Sequence, residues 1–140
     1  IVVIAILAAI TIVAYNGIQT QANFSSMRSD VTSVQKIVEM YGARNGHYPV
    51  STSWRCSSSY PTNYVPNVQD ITARLPASPA GGGNGYCYRS TTAGTDYKII
   101  RLYQPSIPTT EWSLVPANMR DPNTSLTDRW GVWSPGGAGL

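Results

Sequence analysis

The chain has 140 residues, enough for one domain with a modest core, and only 12% of them are charged. Its net charge of +3 is scattered from Arg28 to Arg129 with no run of one sign. Charge alone thus indicates no nucleic-acid footprint, and a mild basic balance leaves weak contact with DNA or another anionic surface open. Nine tyrosines and four tryptophans, beside 12 glycines and 10 prolines, suit an extracellular β-rich surface better than a cytosolic enzyme.

Residues 1–14 hold a single hydroxyl and no charge, and no charged residue precedes Arg28. Fourteen apolar residues fall short of the roughly 20 that span a bilayer. They are also too apolar for the surface of a small soluble domain. At about 1.5–3 kcal/mol for each large side chain, leaving them in water would cost tens of kcal/mol. The segment is therefore expected to be buried in lipid or against copies of itself. A signal peptide would show a basic start and then a clear break after its cleavage site, and here the helical pattern runs straight on.

Past residue 22 the character changes. Phe24, Met27, Val31, Val34, Val38 and Tyr41 recur at spacings of 3, 4, 3, 4 and 3, with serines, threonines and charges between them. That is one apolar stripe on a polar helix. Asn45-Gly46 supplies a C-terminal stop and Pro49 bars continuation. One helix is expected from Ile1 to Arg44, softened if anywhere at Asn16-Gly17. At 1.5 Å per residue it is about 65 Å long, twice the width of a small domain, so it must protrude. Residues 1–22 then form a bare apolar half, and residues 23–140 a head that includes the striped half.

The stretch Ile6-Leu7-Ala8-Ala9-Ile10-Thr11-Ile12-Val13-Ala14-Tyr15 resembles the end of the N-terminal motif of type IV pilins and pseudopilins. Asn45-Gly46-His47-Tyr48-Pro49 is similar to that family's exit from the helix. The resemblance covers residues 1–50 and implies a pilin-like α+β fold, with a long protruding helix packed on a small antiparallel sheet. By that comparison about nine residues of the motif come before Ile1, among them a methylated first residue and a glutamate. The implied filament-core positions are Ile1, Ile4, Leu7, Ala8, Ala9, Ile10, Ile12, Val13 and Tyr15. The family commonly has proline where this chain has Val13. Proline removes a helical hydrogen bond, so Val13 predicts less local melting.

From Val50 to Pro79 the pattern is that of a connecting loop, with one helical turn expected at Val68–Leu75 and with Trp54, Tyr60 and Tyr64 as anchors. Cys56 lies within it, 31 positions before Cys87. Zinc needs about four ligands, and the remaining candidate is His47 alone, so a single disulfide in an oxidising compartment is the favoured reading, with two buried thiols as the alternative. Gly81-Gly82-Gly83-Asn84-Gly85 is a turn or exposed tip without the Lys and Ser/Thr of a phosphate loop. Tyr86–Ser90 and Asp96–Leu102 read as a hairpin around Thr91–Thr95. Further strands are expected at Glu111–Val115 and Trp130–Ser134. Such a sheet needs a cover on one face, and the stripe from Phe24 to Tyr41 provides it.

No constellation supports catalysis. The two glutamates, Glu39 and Glu111, form no arguable pair, and Ser134 lies outside any Gly-x-Ser-x-Gly elbow. No cofactor is implied. Asp121, Asn123 and Asp128 offer oxygens for calcium but lack the spacing of a calcium loop, so an Asx-type turn is the plainer reading. Tyr60, Tyr64, Trp112 and Trp130, with Tyr103 and Trp133, are candidates for a surface binding patch, against the alternative of core filling. Asn23-Phe24-Ser25 and Asn123-Thr124-Ser125 fit the glycosylation sequon.

The resemblance implies a structural subunit with several partners. These are copies of itself in a helical filament, the cytoplasmic membrane before assembly, an assembly machinery with its ATPase, and host-cell or surface ligands. It places the mature filament outside a bacterial cell and covers adhesion, twitching motility and DNA uptake alike. A pseudopilin of type II secretion or competence is the nearest alternative. A membrane-tethered β-rich binding domain is the distant one.

Overall fold

A computed structural model describes residues 1–61, 63–68, 85–122 and 127–140. The expected helical turn at Val68–Leu75 and the glycine-rich tip lie almost wholly outside these residues, as does Asn123. A single helix, α1, runs unbroken over Val2–Asn45, through both Val13 and Asn16-Gly17. It ends where Gly46 turns left-handed at φ 75°, and the Gly46 amide donates to the Gly42 carbonyl at 2.9 Å. A residue without Cβ takes that conformation at little cost.

Four antiparallel strands follow: β1 Arg55–Cys56, β2 Gly85–Ser90, β3 Tyr97–Leu102 and β4 Arg129–Trp133. They lie side by side in chain order. The hairpin register pairs Tyr86 with Arg101, Tyr88 with Ile99 and Ser90 with Tyr97. On the far side Ile99 meets Val132 and Arg101 meets Trp130. Alternation along the strands therefore sends Tyr86, Tyr88, Tyr97, Ile99 and Trp130 to one face. They form the core there with Phe24, Met27, Val31, Val34 and Val38 of α1. The Phe24 and Trp130 rings sit 5.4 Å apart. Tyr41, the last position of the stripe, is only half-buried and meets His47 edge-on.

The disulfide joins Cys56 to Cys87, which are direct partners between β1 and β2. The fold is thus α+β, a long helix laid on an antiparallel sheet stapled once.

The strand expected at Glu111–Val115 does not form. Instead Thr109–Trp112 make one helical turn, α2, entered from Pro108 at φ −51°. Proline presets that angle, and Glu111 places a carboxylate in the first turn, where the helix favours negative charge. The fourth strand of the sheet is β1, two residues inside the long loop.

The outer face of the sheet is also covered. Lys98, on the opposite side of β3 from the helix, has no exposed surface. Its ammonium reaches Asp121 Oδ1 at 2.9 Å and the backbone oxygens of Ala138 and Leu140 at 2.8 and 3.1 Å. All three ammonium protons have an acceptor, so no donor is left unsatisfied in this buried position. Gly131 supports the same layer: a Cβ there would come within 1.9 Å of the Ile99 carbonyl oxygen.

Candidate functional site: the bare helix and the seam beside it

Among the described residues, every side chain of α1 before Thr20 is exposed. Ile4 is 72% exposed and Ile18 68%, and Val2, Leu7, Ile10, Ile12 and Tyr15 range from 60% to 72%. The side chain of Val13 lies outside the described residues. Thr11 donates to the carbonyl of Leu7 at 2.5 Å and Thr20 to that of Asn16 at 3.0 Å, so these hydroxyls are satisfied within the helix. Up to Tyr15 what remains outward is hydrocarbon, and the exposed amides Asn16, Gln19 and Gln21 follow it. By length and composition alone the helix is long and apolar enough to cross a membrane, and its most apolar stretch, of mean hydropathy 2.0, is not buried against the head. The full set of exposed aliphatics is worth on the order of 10–20 kcal/mol if removed from water.

At residue 24 the environment reverses, and polar clips lock the helix to the sheet. Glu39 accepts from the phenol of Tyr97 at 2.5 Å and from that of Tyr48 at 3.0 Å, and Gln35 Nε2 donates to Tyr97 Oη at 3.3 Å. Tyr86 donates to Asp30 Oδ2 at 3.0 Å, and Tyr88 to the Pro49 carbonyl at 2.6 Å. Burial pushes the phenols of Tyr64, Tyr86, Tyr88 and Tyr97 well above their ordinary value, and the carboxylates of Asp30 and Glu39 push Tyr86 and Tyr97 further. Tyr86, Tyr88 and Tyr97 are donors, while the buried Tyr64 hydroxyl has no hydrogen-bond partner among the described residues. None is poised to act as a base.

Where the helix enters the head, a groove of about 520 Å³ opens between α1, β2, β3 and α2. Asn23, Ser26 and Asp30 line it from the helix, and Tyr86, Arg101 and Glu111 from the other elements. Glu111 Oε1 accepts from Trp130 Nε1 at 3.1 Å. Arg101 donates through Nη1 to the Leu102 carbonyl at 2.6 Å, its Nε contacts Met27 Sδ at 3.1 Å, and its guanidinium lies over Tyr103.

The expected aromatic patch is not assembled. Tyr64 and Trp130 are completely buried, so neither is a surface contact. Trp130 stands on the helix-facing side of β4, and the loop carrying Tyr64 tucks that ring into the core. Tyr60 is 39% exposed, with Arg55 stacked 3.9 Å above its ring. Trp112 and Trp133 are half-buried under Arg120 and Lys98. Of the calcium candidates, Asp121 pairs with Lys98 and Asp128 with Arg129, and no metal-ligating cluster occurs among the described residues. Asn23 is exposed on α1 and accepts from Gln19, while the second sequon lies outside the described residues. The chain matches no protein-family model, no curated protein and no solved structure.

Proposed function

We propose that this chain is a structural subunit of a type IV pilus, polymerising through its N-terminal helix into an extracellular filament. The observation that carries the reading is the bare half of α1: a charge-free apolar rod continuous with a helix that is itself an integral part of the head's core. Before assembly that rod resides in the cytoplasmic membrane. During assembly it exchanges lipid for the rods of neighbouring copies, and the head stays in water. A heterologous head-to-tail contact of this kind repeats without closing, as a filament requires.

A tethered binding domain would need the rod only as an anchor. Ala8→Leu combined with Ala9→Leu separates the two designs. In a filament subunit the close approach of neighbouring rods is lost and the yield of sheared filaments falls at least tenfold, while membrane insertion is unchanged. Unaltered filament yield, or no filaments from the unmodified chain, contradicts the proposal.

A further inference from the structure

Two flanks of α1 within the head differ in charge. On one, Asp30 and Glu111 face the groove described above, and neither carboxylate has an ion-pair partner among the described residues. Asp30 accepts from Tyr86 and Glu111 from Trp130, neutral donors that leave the negative charge in place. Arg101 lines the same groove, but its contacts are the Leu102 carbonyl, Met27 sulfur and the Tyr103 ring. The groove thus holds two carboxylates against one guanidinium.

On the other flank Ser25, Arg28, Ser29, Thr32, Ser33 and Lys36 line a second, shallower groove of about 340 Å³ that contains no acid. Arg28 and Lys36 are exposed and make no ion pair among the described residues. Glu39, the nearest acid farther along the helix, accepts from the phenols of Tyr48 and Tyr97 and keeps its charge, but it lies outside this groove. Arg28 and Asp30 are two residues apart, about 200° of helical rotation, so the flanks point nearly opposite ways at the same height.

Opposite charge on opposite sides of one rod is the arrangement of a repeating lateral contact. Each copy presents its cations to one neighbour and its carboxylates to the other. We infer that the acidic groove at Asp30 and Glu111 receives the Arg28–Lys36 flank of a second copy, setting the register of adjacent subunits. Charge complementarity of this sort selects orientation and partner more than it adds affinity. The inference rests on the filament reading and names the head surfaces that reading leaves open.

The test uses the full-length chain and counts sedimentable filaments. Arg28→Glu with Lys36→Glu touches no packed atom and is expected to lower the yield at least tenfold, with the head's near-ultraviolet circular dichroism unchanged. Asp30→Lys in the same chain is expected to recover at least a third of the loss. Should that residue be needed to hold Tyr86, the exposed Ser26→Lys places the cation in the same groove instead. Wild-type yield from the doubly reversed flank, or no recovery from a folded chain carrying either groove lysine, overturns the inference and leaves the filament reading intact. Absence of filaments from the unmodified chain removes both.

Discussion

The two halves of α1 are one continuous helix with the same backbone and opposite surroundings. In residues 2–18 every described large apolar side chain is exposed, whereas from Phe24 to Val38 the stripe is buried to 8% exposure or less. The difference lies in which side chains repeat. The first half is apolar on all sides and has no preferred face to give a sheet. The second half interleaves apolar and polar residues at 3.6-residue spacing and can dock only one way. A plain membrane anchor has no need of the second half, and a soluble α+β domain has no use for the first.

The comparison sharpens into unequal costs for similar deletions. Phe24→Ala removes the ring packed on Trp130 and is expected to cost the head about 3–5 kcal/mol. Ile10→Ala, on the bare half, should shift head stability by less than about 0.5 kcal/mol. Denaturant titrations of the detergent-solubilised chain measure both, and similar costs would abolish the distinction. Lys98→Ala removes a buried ion-pair member and the donor to three oxygens, and is expected to cost about 3–5 kcal/mol. Lys98→Met with Asp121→Leu should recover part of that loss, because the ion pair goes as a unit while the Ala138 and Leu140 oxygens still lose their donor. Reducing the Cys56–Cys87 bridge frees a loop of 31 positions, worth about 3–4 kcal/mol, and lowers the midpoint of head unfolding without affecting the bare rod.

The smallest effect concerns pH. The buried tyrosines have folded pKa values raised above the 10.0 of the exposed phenol. A raised value means that the stability they confer is fully present below pH 10.0 and declines as pH climbs toward the folded values. Each such group removes at most about 1.4 kcal/mol per pH unit across that window. Tyrosinate absorbance from these buried phenols should therefore appear late in an alkaline titration. The core set, Tyr64, Tyr86, Tyr88 and Tyr97, should ionise only together with loss of near-ultraviolet circular dichroism. A single early rise with the fold intact would contradict the burial.

Much of this division is legible from residue spacing. The stripe from Phe24 to Val38, the stop at Asn45-Gly46 and the hairpin of Tyr86 to Leu102 each repeat one local rule over enough residues to be read. Glu111–Val115 is too short for its period to separate strand from helix, and Pro108 decides it. β1 is two residues long and exists because Cys56 faces Cys87 across the ladder. Trp130 and Tyr64 look like candidate contacts until the register and the path of the loop turn them inward. Lys98 sits where alternation predicts a solvent-facing residue. The alternation is right about the face, but the C-terminal turn at Gly137–Gly139 covers it, a long-range event that local pattern cannot express. The opposed charges of Arg28 and Asp30 are visible in the sequence, while their separation onto two grooves needs the helix seated on its sheet.

The most direct measurement is a helical reconstruction of filaments sheared from cells producing this chain. The account predicts a core of bundled α1 rods from Val2 to about Ala22, continuous through Val13, with heads outside and the Asp30 groove of each copy against Arg28 or Lys36 of the next. A globular particle, or a fibre whose core is built from the heads with the rods outside, would contradict it.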